Sequence, residues 1–238
     1  MARRFFVDTE IVIGNDFEII GEEAKHIMIL RHNIGEEIVV NDKICEIKSI
    51  NKQKIVCRPI KQMEELGIPD VKITLYQALL KSDKMEFVIQ KAVELGVSKI
   101  VPFISKNVVV KLDDKDKVKK NERFNKISVE ATKQCGRSDI VKVEQVHKFD
   151  EVINELNKYE KSFLAYESET SKLKDAIREN LDIKEIAIVI GAEGGFELSE
   201  VDKFVNEGKC ISVSLGDRIL RAETASLNLL SILMYELN

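Results

Sequence analysis

The sequence predicts an α/β protein in which a mostly parallel sheet follows a small β-barrel. From Val71 onward, short apolar runs alternate with segments of helical spacing, which is typical of a parallel sheet covered by helices. The first 60 residues instead contain several short runs rich in Ile and Val, separated by glycines, and this pattern favours a barrel. Near the C-terminus, two glycine-bearing loops each follow an apolar run and lead into a helical segment.

The N-terminal region contains strand candidates and one helix candidate. The strands are predicted at residues 4–7, 10–13, 37–41, 44–50 and 54–59. The helix is predicted at residues 22–30, where Ala24, Ile27 and Met28 lie on one apolar side. Residues 62–70 are acidic and contain Gly67 and Pro69, so we expect them to link two domains, 1–70 and 71–238.

The second domain is predicted from its hydrophobic spacing. The predicted strands are 71–79, 99–104, 162–166, 186–190 and 211–215, and the predicted helices are 85–95, 122–134, 171–180 and 224–237. The last helix is apolar on most faces, so we expect it to be buried in the core or in a subunit interface.

Composition limits the class of protein. A chain of 238 residues can bury a core that needs no metal or disulfide. The four cysteines are scattered and the three histidines lack helical spacing, which disfavours a zinc site and a metal enzyme. The sequence has no signal-peptide core and no run of apolar residues long enough for a membrane span, and free thiols are typical of a reducing compartment, so we expect a cytoplasmic protein.

The net charge of −4 is unevenly distributed, because residues 71–140 carry 15 basic and 9 acidic side chains. A basic segment in an acidic protein is a candidate polyanion-binding face. The alternative is a solvated lysine-rich helix and loop, as at residues 115–120.

The two C-terminal loops are the strongest functional signal. Residues 191–195 read Gly-Ala-Glu-Gly-Gly, and residues 215–225 read Leu-Gly-Asp-Arg-Ile-Leu-Arg-Ala-Glu-Thr-Ala. Neither loop has the spacing of a P-loop or of G-x-G-x-x-G, which argues against a nucleoside triphosphatase and a dinucleotide enzyme. We expect adjacent strand ends that share one ligand crevice, in which Ile219 and Leu220 cover a flat apolar group such as adenine. The alternatives are a tight turn without a ligand, and packing of these two side chains onto the sheet.

These loops, together with Lys84-Met85-Glu86 and residues 90–97 and 131–137, resemble the RsmE family of 16S rRNA uracil-N3 methyltransferases, in the SPOUT superfamily. The resemblance implies a PUA-like barrel, an α/β domain with a deep trefoil knot, S-adenosylmethionine bound in that knot, and a homodimer that acts on 16S rRNA within the small ribosomal subunit. The sequence departs from the family at Ala192, where proline is usual, and at Lys106-Asn107, where arginine is frequent.

The resemblance and the strand-end positions together imply site residues. The cofactor is expected to contact Tyr166, Ile190, Gly191, Gly195, Leu215, Gly216, Ile219, Leu220 and Thr224. RNA phosphates are expected to contact Arg31, Lys81, Lys84, Lys106, Lys133 and Arg137. Arg221 is the candidate for stabilising charge on the uracil, and Glu193 or Glu223 for accepting the N3 proton. The alternative is a salt bridge among these three groups that only shapes the loops.

Two other functions stay open at this stage. The segment Ser226-Leu227-Asn228 is similar to the tRNA 2′-O-methyltransferase branch of the superfamily, so a ribose methyltransferase acting on rRNA or tRNA is one alternative. A non-catalytic RNA-binding assembly factor would keep the fold without the chemistry.

Overall fold

The computed structural model of the protein describes residues 4–63, 67–81, 83–110, 112–178 and 183–238. These residues form two compact units. The first contains the described residues up to Ile68 together with Lys133–Asp139, and the second contains the others from Pro69 onward. The predicted linker 62–70 lies partly outside the described residues, and its first residue belongs to a strand.

The first unit is a mainly antiparallel sheet with one helix. In chain order its elements are β1 (Arg4–Phe5), β2 (Phe17–Ile20), α1 (Gly21–Ile29), β3 (Glu37–Val40), β4 (Lys43–Ile50) and β5 (Lys54–Gln62). The strands lie in the order β1-β3-β4-β5-β2, and only the β1–β3 pair is parallel. Alternate side chains of the strands enter a core built mainly from Ile, Val, Phe and Cys.

One predicted strand in this unit is wrong, and one strand was missed. Residues 10–13 lead into a turn in which Asn15 donates a backbone hydrogen bond to the Val12 carbonyl at 3.1 Å. Strand β2 follows this turn and pairs with β5. Its charged residue Glu18 alternates with buried Phe17 and Ile19, so the segment has the period of a half-buried strand but lacks a continuous apolar run.

The second unit is an α/β fold around a parallel sheet, as predicted. Its strands are β6 (Lys72–Ala78), β7 (Lys99–Ile104), β8 (Lys142–Val143), β9 (His147–Lys148), β10 (Lys161–Ala165), β11 (Glu185–Ile190) and β12 (Ile211–Val213). Its helices are α2 (Asp83–Glu94), α3 (Asp114–Cys135, whose last residues belong to the first unit), α4 (Phe149–Leu156), α5 (Leu173–Arg178), α6 (Leu198–Asn206) and α7 (Ala222–Leu237). The strand order is β12-β10-β11-β6-β7-β8, with β9 paired to β7, and every pairing described is parallel.

The central strands β6 and β11 are buried on both faces beyond their first residues, which explains the nearly continuous apolar sequence of β11. The strands β8 and β9 and the helix α4 were missed, because the two strands have only two residues each and α4 is a short helix behind them. Helix α3 begins at Asp114, so the lysine-rich segment is helical, and α5 ends at Arg178, with the rest of its predicted range outside the described residues.

The two glycine-bearing loops do not follow adjacent strands, which corrects the sequence-based expectation. The loop at 191–195 follows β11 and the loop at 215–225 follows β12, and β10 lies between them. Closeness in sequence misled here because the chain crosses over β10 before it forms β12. The loop after β10 therefore lies between the other two loops.

Helix α7 packs against α2, β6 and β11. Leu229, Leu230 and Leu233 are buried, whereas Tyr235 is 86% exposed. The helix is thus buried along one side. None of the helices in the described part of the chain is long and apolar enough to cross a membrane.

A buried polar network fixes α4 against β6. The Tyr76 hydroxyl donates to Glu155 Oε2 at 2.8 Å, and His147 Nε2 lies 3.2 Å from Glu155 Oε1. Burial raises the pKa of Glu155, but the hydrogen bond from Tyr76 and the charges of His147 and Lys99 lower it by more, so the net shift is below the ordinary value of 4.5.

We expect Glu155 to stabilise the fold at neutral pH and to lose that contribution in acid. A carboxylate whose pKa is depressed by folding contributes fully above its unfolded pKa, near 4.5, and loses the contribution as the pH falls through its folded pKa. The difference in urea unfolding between the wild type and Glu155→Gln should therefore be large at neutral pH and shrink as the pH falls below 4.5 and through the lowered pKa of the folded protein. A constant difference across this range would contradict the assignment.

Candidate functional site

A cavity of about 450 Å³ lies at the carboxyl ends of β10, β11 and β12. Parallel α/β sheets bind their ligands at this edge. Its walls are the three loops that follow these strands, together with the first turn of α7 and Lys84 of α2. The predicted residues that line it are Tyr166, Ile190, Gly191, Glu193, Gly195, Leu215, Gly216, Ile219, Leu220, Arg221 and Glu223.

The loop after β11 is a tight turn. Gly195 donates its backbone N–H to the Ala192 carbonyl at 3.0 Å and has φ +63°, a conformation that favours glycine. A Cβ on Gly195 would lie 2.8 Å from Glu167 Oε1, and a Cβ on Gly194 would lie 3.0 Å from Asn107 Cβ. Both glycines therefore allow neighbouring groups to approach the backbone closely.

The loop after β12 is tied to the loop after β10. Lys172 and Ser214 form an isolated parallel bridge, and Ser214 donates its N–H to the Ser171 carbonyl at 2.8 Å. Gly216 follows with φ +113°. Ile219 lines the cavity and is 86% exposed, so it does not pack onto the sheet. A ligand that covers this apolar side chain therefore stays a prediction.

Gln77, near the end of β6, connects the loop at 191–195, called the first loop below, to α7. The sequence-based prediction missed this residue. It is fully buried, and its Nε2 donates to the Gly191 carbonyl at 3.1 Å and to the Ala78 carbonyl at 3.0 Å. Its Oε1 accepts a short hydrogen bond from the Ser226 hydroxyl. A polar residue within an otherwise apolar strand was the only signal in the sequence that pointed to this role.

Replacing Gln77 with leucine should weaken cofactor binding without unfolding the sheet. The change leaves the Gly191 carbonyl without its side-chain donor, and an unsatisfied buried polar group costs about 1–3 kcal/mol. We expect the dissociation constant for S-adenosylmethionine to rise roughly fivefold to 140-fold in calorimetry. Ser226→Ala, which removes one hydrogen bond of the same network, should have a smaller effect. Wild-type affinity in Gln77→Leu would show that the first loop needs no support from β6.

The segment after β7 supports the same loop. Asn107 Nδ2 donates to the Gly194 carbonyl at 2.9 Å, and the Lys106 N–H donates to the buried carboxylate of Glu200 at 2.9 Å. The Lys106 ammonium bonds Glu197 Oε2 at 2.7 Å, and this hydrogen bond raises the pKa of Lys106. The departure from the family at Lys106-Asn107 thus occurs in a segment that contacts the first loop and α6.

Three charged side chains meet at the cavity wall. Lys84 Nζ lies 3.5 Å from Glu193 Oε1 and 3.8 Å from Glu223 Oε2. Glu193 Oε1 also accepts the Lys81 N–H at 3.1 Å. Burial raises the pKa of Glu193, but its backbone donors and Lys84 lower it by more, so the net pKa shift is downward. Glu223 Oε2 is buried and accepts no hydrogen bond from the described residues.

Two predicted site residues, Arg221 and Thr224, have surroundings that differ from those of the other site residues. Arg221 is the exposed N-cap residue of α7 and lines the cavity, but no ion pair between it and Glu193 or Glu223 occurs among the described residues. Thr224 is exposed and does not line the cavity, although both of its chain neighbours do. Its position on the first turn of α7 turns it away from the space that Glu223 and Ala225 face.

The predicted RNA contacts fall into three pairs with different surroundings. Arg31 and Lys81 are exposed. Lys133 and Arg137 are mostly buried and form ion pairs with Glu23 and Asp139, so a phosphate contact would first require breaking these pairs. Lys84 lies in the cavity wall and Lys106 is bonded to Glu197, as described above. Among the described residues, no group of three or more His, Cys, Asp or Glu could hold a metal ion.

Comparison with known proteins identifies relatives over the whole chain. A family model of an RNA methyltransferase domain matches residues 68–234. The chain is 36% identical to ribosomal RNA small subunit methyltransferase E of Bacillus subtilis, over 98% of this chain and 96% of that protein. It is 35% identical to the protein of the same name from Mesomycoplasma hyopneumoniae, over 78% and 77% of the two chains.

Solved structures agree with this relationship. A methyltransferase of Legionella pneumophila, determined with the bound cofactor S-adenosylmethionine, is 29% identical to the chain, superposes with a TM-score of 0.89, and is aligned over 99% of this chain and 98% of its own. The match therefore includes both compact units and the three loops of the cavity. The chain belongs to the ribosomal RNA small subunit methyltransferase E family of RNA methyltransferases.

Proposed function

We propose that the protein transfers the methyl group of S-adenosylmethionine to N3 of a uridine in the 16S rRNA of the small ribosomal subunit. One observation carries the proposal: the two glycine-bearing loops that resemble the family converge with the loop after β10 on a single cavity. The Legionella relative binds S-adenosylmethionine, and the curated relatives are named for methylation of small-subunit ribosomal RNA.

The cavity fits this cofactor. Its volume lies within the usual range of roughly 300–1,000 Å³ for small-molecule sites. Glycines at 191, 195 and 216 open the backbone, exposed Ile219 offers an apolar contact for adenine, and the acidic residues Glu167 and Asp217 suit a cationic cofactor. When bound, S-adenosylmethionine supplies an activated methyl group, so the protein must bind and orient the cofactor and the uridine and must accept one proton. The residues proposed to hold it are Tyr166, Ile190, Gly191, Gly195, Leu215, Gly216, Ile219 and Leu220.

Glu223 is the better candidate for accepting the N3 proton. Its buried Oε2 accepts no hydrogen bond from the described residues, although the Lys84 ammonium lies 3.8 Å away. Glu193 Oε1 already accepts the Lys81 N–H, and its pKa is lowered, which makes it a weaker base. Arg221, which is exposed and lines the cavity, is proposed to stabilise negative charge on the uracil of the incoming nucleotide. Since N3 is engaged in pairing within a duplex, the target uridine must be unpaired or flipped.

The finer architecture is also proposed from the family. Strands β1 to β5 around one apolar core would close into a PUA-like barrel within residues 1–70, where exposed Arg31 would contact RNA. The crossing from β11 to β12 beyond β10, followed by the return of α7 onto β11 and β6, supports a deep trefoil knot in residues 71–238. Exposed apolar residues such as Tyr235 and Leu198 would support a homodimer through this domain. A ribosomal substrate would place the enzyme in the cytoplasm.

The test is to incubate the purified protein with S-adenosylmethionine and small subunits from a strain that lacks the family enzyme. Mass spectrometry of the digested RNA, with primer extension across 16S rRNA, should detect N3-methyluridine. A ribose methyl would instead identify a 2′-O-methyltransferase, the alternative that Ser226-Leu227-Asn228 suggests. RNA binding without affinity for S-adenosylmethionine would identify a non-catalytic assembly factor.

A further inference from the structure

The position of Lys84 is not explained by a contact with RNA phosphate. Its ammonium lies at the wall of the cavity, between the carboxylates of Glu193 and Glu223, at 3.5 and 3.8 Å. Its side chain is 35% exposed and that of Glu223 is 15% exposed, so the pair is partly shielded from water. A phosphate-binding lysine would instead project from an open surface, as the exposed Lys81 does.

Two helices begin beside this group. Lys84 is in the first turn of α2 and Glu223 is in the first turn of α7. A helix N-terminus carries a partial positive charge of about half a unit, which stabilises anions near it. The ammonium and the two helix termini therefore concentrate positive charge on one side of the cavity, where Glu193 and Glu223 are the facing carboxylates and Arg221 and Arg218 also line the wall.

We propose that Lys84 is a catalytic residue that donates a hydrogen bond to a carbonyl oxygen of the target uracil and stabilises the negative charge formed when N3 loses its proton. This inference rests on the proposed function and assigns the charge-stabilising role to Lys84 in addition to Arg221. In the proton transfer, the N3–H bond breaks, an O–H bond forms on Glu223, and the electron pair stays on the base, spread over N3, O2 and O4. Glu223 becomes neutral as the uracil becomes anionic.

The position of Lys84 lowers the energetic cost of this proton transfer. Before the step, the ammonium faces two carboxylates, and after it, one carboxylate and the uracil anion. The negative charge moves a short distance around a fixed cation, so little reorganisation of the site is needed. A donor directed at developing charge contributes about 10²–10³ in rate in a dry site, and the partial exposure of Lys84 reduces this to roughly 10–100-fold.

The test uses Lys84→Met and Lys84→Arg, with Lys91→Met as the matched control. Lys91 lies on the same helix, pairs with Glu94 at 2.8 Å, and does not line the cavity. A target RNA containing 5-fluorouridine, whose N3 proton is more acidic than that of uridine, is bound to each protein without cofactor. The fluorine NMR shift then reports the pH at which the bound base ionises. Calorimetry with S-adenosylmethionine and thermal unfolding confirm that each variant is folded.

The bound base should ionise at a pH about one unit higher or more in Lys84→Met than in the wild type, and Lys84→Arg should retain most of the wild-type shift. Single-turnover methylation at saturating RNA and cofactor should fall roughly 10–100-fold in Lys84→Met, and less with 5-fluorouridine than with uridine. Lys91→Met should match the wild type in both measurements.

Other results would overturn the inference. A phosphate contact would leave the ionisation and the saturated rate unchanged, weaken RNA binding, and reduce its salt slope by about 1. If Lys84→Met does not fold, Lys84→Gln replaces it. Ionisation of the bound base at the wild-type pH in Lys84→Gln would likewise overturn the inference. Failure of the wild type to methylate uridine N3 would refute the proposed function itself. An active wild type with an equally active Lys84→Met would refute only the role of Lys84.

Discussion

Replacing Glu223 with glutamine should lower the single-turnover rate of methylation by about 10²–10⁴-fold, the usual contribution of a positioned general base. Glutamine keeps the size of the side chain but cannot accept the N3 proton. Glu223 Oε2 accepts no hydrogen bond from the described residues, and its ion-pair partner Lys84 keeps Glu193 at 3.5 Å, so the affinity for S-adenosylmethionine should change little. The effect should therefore appear in the rate and not in cofactor binding.

Two matched variants test this assignment. Glu236→Gln is the same change on an exposed residue of the same helix, outside the cofactor cavity, and should leave the rate unchanged. Glu193→Gln should mainly weaken cofactor binding, because Glu193 accepts the Lys81 N–H and so anchors the first loop. A large loss of rate in Glu193→Gln, with a nearly wild-type rate in Glu223→Gln, would reverse the two roles.

The sequence predicted the α/β class and the mostly parallel sheet because buried strands such as β7 and β11 are mainly apolar runs that alternate with segments of helical spacing. Strand β7 was predicted at the bounds observed, residues 99–104, and the prediction for β11 differed by one residue. The order of strands was not predictable in the same way. No local pattern reveals that β10 lies between β11 and β12, because strand order is decided by which crossovers bury the helices, and that depends on the whole sheet.

The sequence predicted the cavity because glycines, and apolar residues within a polar loop, are local signals. Ile219 is apolar and 86% exposed in the structure, as its position in a polar loop suggested. The supporting contacts were invisible in the sequence. Gln77 is 114 residues from Gly191 and 149 from Ser226, and Asn107 is 87 from Gly194. The resemblance grouped Lys84 with the other predicted phosphate contacts, and its distances to Glu193 and Glu223 distinguish it from them.

Replacing Gly195 with valine should weaken binding of S-adenosylmethionine by about 100-fold or more. Gly195 has φ +63°, where a residue with a Cβ costs roughly 1–2 kcal/mol and a β-branched residue is a genuine outlier. The first side-chain carbon would also lie 2.8 Å from Glu167 Oε1, so Glu167 must move from its place in the cavity wall. Since each 1.4 kcal/mol is a tenfold change, a distortion of the binding loop that costs about 2.8 kcal/mol of binding free energy gives the stated loss.

Backbone strain by itself lowers the stability of the protein, whereas distortion of the binding loop lowers its affinity for the cofactor. A variant at a second glycine distinguishes these two effects. Gly35 has φ +89°, and a Cβ there would meet no atom within 4 Å, so Gly35→Val adds comparable backbone strain at a residue that does not line the cavity. Its free energy of unfolding should fall while calorimetry gives wild-type cofactor affinity. If Gly195→Val instead loses stability to the same degree as Gly35→Val and still binds the cofactor normally, the turn at 192–195 adapts to a side chain. The close approach of Gly195 to Glu167 would then not be required for binding.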